Sequence, residues 1–129
     1  MGNHPATMVD QPGACLFHYR ASVIEVHDGD TCTLDIDLGM SCWRRHEKVR
    51  LARIDAPELT GASAARGRRA RELLKKLVLG KVVLLQTIKD RREKYGRYLG
   101  ELWVEQEEGP ALNASDALVE ARLARYVRY

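Results

Sequence analysis

Long hydrophobic runs are missing from this chain of 129 residues. No stretch approaches the ~18 apolar residues a membrane-spanning helix needs, so no membrane association is expected. Cysteine is scarce: Cys15, Cys32 and Cys42 form an odd set with no C-x-x-C spacing. That excludes a disulfide framework and gives no zinc-type ligand pattern. Aromatic residues are only 6% of the chain, so few rings are on hand to stack against bases. The opening segment has neither a basic start nor an apolar middle, and it does not read as a secretory leader. Together with the unpaired thiols, this makes a cytoplasmic location the expectation. Neither sign of charge dominates, with 21 basic against 18 acidic residues and a net charge of +3.

What is present is a balance of 45% hydrophobic and 30% charged residues. That is the composition of one globular domain, with enough chain for a stable core. The charge is segregated. Arg66, Arg68, Arg69, Arg71, Lys75 and Lys76 stand together against Glu72 alone, and Arg44, Arg45, Lys48, Arg50 and Arg53 stand against Glu47. The acids Glu101, Glu105, Glu107 and Glu108 gather elsewhere. On charge alone this fits either a polyanionic partner such as nucleic acid or a solvated helix face.

Residues 1–16, with Pro5, Pro12 and Gly13 and no periodicity, are expected to form a flexible arm, and residues 17–129 the folded domain. A first strand is predicted over Phe17–His27, closed by the turn signal Asp28-Gly29. Cys32, Leu34, Ile36 and Leu38 then alternate with Thr33, Asp35 and Asp37, the period of a half-buried strand. A third strand is predicted from Trp43 to Ile54, since Pro57 cannot continue a ladder. Leu73, Leu74, Leu77 and Val78 predict a helix over residues 63–79, with Gly67 weakening its first turn. A fourth strand is predicted over Lys81–Ile88, then a polar turn over Lys89–Gly96 and a fifth strand over Arg97–Val104. An acidic loop and a short C-terminal helix capped by Asn113 or Ser115 complete the chain. The expected class is α+β and dominated by a β-barrel. Five strands with a helix between the third and fourth are compatible with an OB-fold barrel.

Two acidic clusters sit at predicted strand ends, Asp28-Gly29-Asp30-Thr31 and Asp55-Ala56-Pro57-Glu58. Each reads as an ordinary turn on its own. Together they offer carboxylates with no histidine or cysteine spaced as a co-ligand, a donor set suited to a hard cation, Ca²⁺ or Mg²⁺. Arg50 shares a strand face with Ala52 and Ile54 and so needs a carboxylate or a bound phosphate. Lys94-Tyr95-Gly96-Arg97 forms a basic turn in which glycine permits close approach of a ligand.

In this order and spacing, these segments resemble the staphylococcal nuclease-like, or thermonuclease, family. The carriers are Asp28-Gly29-Asp30-Thr31, Val49-Arg50-Leu51 running into Ile54-Asp55-Ala56-Pro57-Glu58, Tyr95-Gly96-Arg97, and Leu118-Val119 with Leu123-Ala124. The resemblance implies an OB-fold barrel that cuts DNA and RNA with Ca²⁺. It implies Asp30, Asp55 and the backbone carbonyl of Ala56 as metal ligands, with Asp28 close behind them. Arg50 and Arg97 become the phosphate-binding arginines, Glu58 the general base, and Lys94 and Tyr95 substrate contacts. The expected substrate is DNA and/or RNA, single-stranded or frayed, and the expected state a monomer. The alternative is a catalytically silent OB-fold module that binds nucleic acid or a protein, but such a module has little reason to keep every one of these residues.

Four departures stand out. Arg53 replaces a small or apolar residue and is expected to snorkel outward or join the substrate surface. Arg122 replaces the glycine of a Gly-Leu-Ala turn, so the helix is expected to run on. The segment from Gly39 to Lys48 is extended and carries Trp43. Tyr126 or Tyr129 is expected to supply the ring beside the nucleotide.

Overall fold

The computed structural model describes residues 16–128, except for the side chains of residues 89–91. The expected arm up to residue 15, with Cys15, and the terminal Tyr129 lie outside the described residues. The elements run in chain order as β1 (His18–Asp28), β2 (Thr31–Gly39), β3 (Cys42–Leu51), β4 (Ile54–Asp55), α1 (Ala64–Val78), β5 (Val82–Arg92), β6 (Tyr98–Val104), β7 (Leu112–Asn113), α2 (Ala114–Glu120) and β8 (Arg125–Tyr126).

β1 is long enough to pair with two neighbours, β2 along Arg20–Asp28 and β5 along His18–Ser22, both antiparallel. A register shift between Val23 and Glu25 bends it, as an irregularity in one strand does. β2 continues to β3 and β5 to β6, again antiparallel. Val49–Leu51 of β3 then lies parallel to Tyr98–Gly100 of β6. That contact closes β1, β2, β3, β5 and β6 into a five-stranded OB-like barrel, the expected class.

The period of two in β2 works as the sequence predicts: Cys32, Leu34 and Ile36 point inward with Val23, Val49, Leu51, Val83, Leu85 and Leu102. Burial pushes the Cys32 thiol up to about 12, so it acts as a small apolar filler. Helix α1 buries Gly67, Ala70, Leu74 and Val78, a stripe at helical spacing. It packs on β1 and α2 and seals the barrel beside the β1–β2 turn. Truncating fully buried Leu74 to alanine would cost about 2–5 kcal/mol. Among the described residues no helix is long and apolar enough to cross a membrane.

Three expectations need correcting. The third strand does not run unbroken to Ile54. It ends at Leu51, Arg53 takes a left-handed φ of 70°, and Ile54–Asp55 starts a separate two-residue strand against Arg125–Tyr126. The hairpin before β6 is tighter, because β5 continues to Arg92 and Gly96, at φ 84°, completes the turn. The C-terminal helix does not run on past Arg122. It stops at Glu120, and Arg122 adopts the left-handed φ of 63° itself, its N–H bonded to the Val119 carbonyl and that of Leu123 to Leu118. Neighbouring backbone bonds impose the conformation that glycine would adopt freely.

Candidate active site

The reversal between β1 and β2 places the first carboxylates. Asp28 accepts the Asp30 backbone N–H at 3.0 Å, a local side-chain bond that shapes the turn. Asp30 accepts the Ala56 backbone N–H at 2.9 Å through one oxygen, and its other oxygen takes a bond from the Thr31 hydroxyl at 3.2 Å. One buried carboxylate thus ties the first acidic segment to the second. Gly29 permits this approach: a Cβ there would lie 2.7 Å from the Cβ atoms of both Ala56 and Ala70. Burial, then the neighbouring Asp28 carboxylate, raises the pKa of Asp30 against the opposing pull of the Ala56 N–H and Arg50.

Arg50 finds the partners its position demands. Its Nη1 donates to the carbonyls of Leu51 and Ile54 at 2.8 and 2.9 Å. Its Nη2 sits 3.4 Å from Asp30 and 3.5 Å from Asp55. The side chain is only 12% exposed, so this part of the site is already ordered. On the far side of Asp55, Arg125 approaches the other carboxylate oxygen at 3.6 Å.

The hairpin between β5 and β6 supplies Arg97. Its Nη1 donates at 3.0 Å to the Thr31 hydroxyl, which in turn donates to Asp30. Thr31 therefore joins the two arginine-bearing halves of the site. Glu93 takes Nε and Nη2 of Arg97 at 3.0 and 2.9 Å and also accepts the backbone N–H groups of Tyr95 and Arg97. The Arg97 guanidinium beside Glu93 holds that carboxyl down at about 2. Tyr95 is 72% exposed, with Lys94 Nζ and Arg97 Cζ 5.1 and 5.5 Å from its ring centre.

Glu58 stands exposed three residues beyond Asp55, and its backbone is fixed from beneath. A Cβ on Gly67 would lie 2.2 Å from the Glu58 carbonyl oxygen. The glycine predicted to weaken α1 is therefore what lets the helix pass under the Pro57–Glu58 backbone.

Arg53 is not left to solvent alone: its side chain, 43% exposed, lines a surface cleft together with Glu93, but its guanidinium is held by the fold. It turns back to Glu101, at 2.5 and 3.1 Å, and bonds Asn113 at 3.2 Å and Asp116 at 3.0 Å. Its Cζ lies 5.6 Å from the Tyr126 ring centre, and the Tyr126 hydroxyl donates to Asp116. These bonds secure a left-handed residue directly before the Ile54–Asp55 strand. Glu101, grouped by sequence with the acids of the following loop, is buried and belongs to this network. Tyr126 is drawn into it too, while Tyr129 lies outside the described residues.

Sequence reasoning missed Glu93 and Arg125, and it named Thr31 and Gly67 without the roles they take here. Glu93 left a local trace, a carboxylate four residues ahead of Arg97 in a turn.

The donor chemistry suits a hard cation: Asp30, Asp55 and nearby backbone carbonyls offer oxygen alone. Among the described residues no three side chains of His, Cys, Asp and Glu converge as a ready-made cage. Two carboxylates that share one Arg50 nitrogen are few ligands for a cation, which suits an ion that keeps part of its water shell. A cleft of about 620 Å³ opens beside Glu93, lined by Ala52, Ile88, Leu99, Val127, Arg92 and Arg128 among others.

The pattern of the family described as staphylococcal nuclease homologue matches residues 48–129, which include Arg50, Asp55, Ala56, Glu58, Lys94, Tyr95 and Arg97. The chain is also 39% identical over 88 residues to Protein ParB of Escherichia coli, a match covering 68% of this chain and 44% of that protein. The chain spans less than half the length of that relative. With its OB-like barrel, this chain belongs to the staphylococcal nuclease homologue family and has a nuclease-type fold.

Proposed function

We propose that this chain is a Ca²⁺-dependent nuclease that hydrolyses phosphodiester bonds in DNA and/or RNA. The observation that carries the reading is one continuous set of contacts: Asp55 and Asp30 face Arg50, and Asp30 leads through Thr31 to Arg97. Carboxylates for a cation and guanidinium groups for a phosphate thereby share one mouth of the barrel.

Hydrolysis builds negative charge on the phosphoryl oxygens as water adds to phosphorus and the bridging P–O bond breaks. Arg50 and Arg97 donate to those oxygens, and planar forks suit the geometry. Carbonyls of Leu51 and Ile54 hold Arg50 in place, and Glu93 holds Arg97. Little reorganisation is needed when charge develops, which is what makes such donors effective. Glu58 reaches into solvent and takes the proton of the attacking water, directly or through a second water. Asp30, Asp55 and the Ala56 carbonyl would hold Ca²⁺, or Mg²⁺, which when bound supplies further positive charge to the phosphoryl group. Asp28 fixes the turn that carries Asp30. Lys94 and the exposed Tyr95, next to Arg97 in the same turn, are assigned to substrate contact, and the largely apolar cleft beside Glu93 suits a base or sugar. The substrate proposed is single-stranded or frayed, which the digestion below compares with plasmid duplex.

The test is digestion of single-stranded and plasmid DNA and of RNA with Ca²⁺, with Mg²⁺ and with EDTA. Cleavage in Ca²⁺ that EDTA abolishes is expected. Binding without cleavage in every condition would instead mark a silent strand-binding barrel.

A further inference from the structure

We infer that Arg66 and Arg125 form a second phosphate subsite beside Asp55, which takes the phosphate next along the strand from the one at Arg50 and Arg97. The inference rests on the proposed strand-cleaving role and deepens it by assigning the site a second contact with its substrate.

Asp55 has an arginine on each oxygen, Arg50 at 3.5 Å and Arg125 at 3.6 Å. The two are unlike. Arg50 is enclosed and braced by backbone carbonyls, whereas the Arg125 side chain is 78% exposed. An exposed ion pair contributes little, so a phosphate can share the Arg125 guanidinium at small cost. Its position is nevertheless set by the fold, because Arg125 of β8 is the register partner of Asp55 in β4.

A cleft of about 270 Å³ leads from this carboxylate toward α1, where Asp55, Ser63, Arg66 and Arg125 are set among the apolar Ala56, Pro57 and Ala124. Arg66 stands at its helical side, where Nη2 donates to the Arg122 carbonyl. That bond anchors the side chain across the cleft, and a guanidinium has five N–H groups, so most of the fork stays open to an anion. The left-handed Arg122 turns the chain from α2 into β8 and presents both the carbonyl that anchors Arg66 and the strand that carries Arg125. Among the lining residues Asp55 is the sole acid against two arginines, which favours an anionic occupant. Because Arg50 and Arg125 contact opposite oxygens of one carboxylate, phosphates at the two places are close enough to be neighbours on one strand.

Calorimetric titration of unlabelled thymidine oligonucleotides with one, two or three phosphodiester linkages tests this, in EDTA so that nothing is cut. Wild-type affinity should step up about tenfold between one linkage and two, the scale of one charge-assisted contact. The step should vanish in the R66Q/R125Q double variant and return in part in R66K/R125K. The log–log salt slope of the two-linkage probe should fall by ~0.7 in the glutamine variant. A step kept by R66Q/R125Q, or absent from the wild type, overturns the subsite. If the double variant does not fold by circular dichroism, R125Q alone should still reduce the step, and an unreduced step overturns the inference. A wild-type step in a protein that digests nothing with Ca²⁺ supports the subsite while the nuclease reading fails.

Discussion

Glu93 grips Arg97 along one edge, with Nε and Nη2 at 3.0 and 2.9 Å from its two oxygens. The opposite edge reaches Thr31 and, through it, Asp30. A turn carboxylate thus sets the angle at which the guanidinium faces the mouth of the barrel.

The Glu93 carboxyl, held at about 2 by Arg97 from a usual 4.5, makes that grip dependent on pH. A carboxylate with a depressed pKa favours folding while it is ionised. Its contribution is complete above its unfolded pKa and is lost as pH falls from about 4.5 toward 2. Glu93→Gln should therefore lower stability at pH 7 and flatten its decline over that acid range. Urea unfolding at a series of pH values reads both effects, and parallel curves for the two proteins would show that Glu93 does not hold Arg97 by charge.

Gly67→Ala tests how α1 supports Glu58. Helix propensity alone favours alanine by about 1 kcal/mol. The 2.2 Å approach to the Glu58 carbonyl outweighs it, because backbone cannot swing aside as a side chain tip can. Net destabilisation of about 1–3 kcal/mol is expected, together with reduced turnover. A variant more stable than the wild type would show that the helix does not press on this loop.

Arg53→Leu should destabilise the protein more than Arg45→Leu. Arg45 pairs with Asp35 on an exposed hairpin, where removing the pair costs about 0–1 kcal/mol. Loss of Arg53 leaves Glu101, 10% exposed, with Asn113 at 3.1 Å as its remaining side-chain partner among the described residues. About 1–3 kcal/mol is expected for that unsatisfied acceptor. Equal melting temperatures for the two variants would show that the network contributes nothing beyond a surface pair.

The basic face of α1 should add affinity rather than chemistry. Arg68 and Arg69 are exposed, while Glu72 occupies Arg71 and Lys75 at 3.5 Å each. Replacing Arg68 and Arg69 with glutamine should raise KM and lower the salt slope by ~0.7 for each phosphate that is no longer neutralised. A fall in kcat at an unchanged slope would place them at the reaction instead.

Much of this is legible from residue order. The alternation in β2 and the apolar stripe of α1 are local signals, and packing strengthens them. Arg50 draws notice because it shares a strand face with apolar residues, and Asp30 and Asp55 because two acidic clusters at strand ends together offer oxygen ligands, whereas Arg97 is nominated only through the family resemblance. Arg53 cannot be read this way. Its partners lie 48 to 63 residues away and become neighbours only when β6, β7 and α2 close over the Ala52–Arg53 turn. Gly67 misleads because propensity describes a helix alone, and its role comes from the loop lying across it. Arg122 misleads for a related reason: hydrogen bonds to Val119 and Leu118 settle its backbone against its intrinsic preference.

The most direct test of the central claim is single-turnover cleavage of a short single-stranded oligonucleotide in Ca²⁺ by the wild type and Arg97→Lys. Lysine keeps the charge and loses the fork that Glu93 and Thr31 orient. Ca²⁺-dependent cleavage by the wild type is expected, with a rate about 10²–10³ lower in the variant at a similar melting temperature. A wild type that does not cleave, or a variant within about tenfold of it, would contradict the nuclease assignment or the role of Arg97 in it, since a donor aimed at the transition state should cost more.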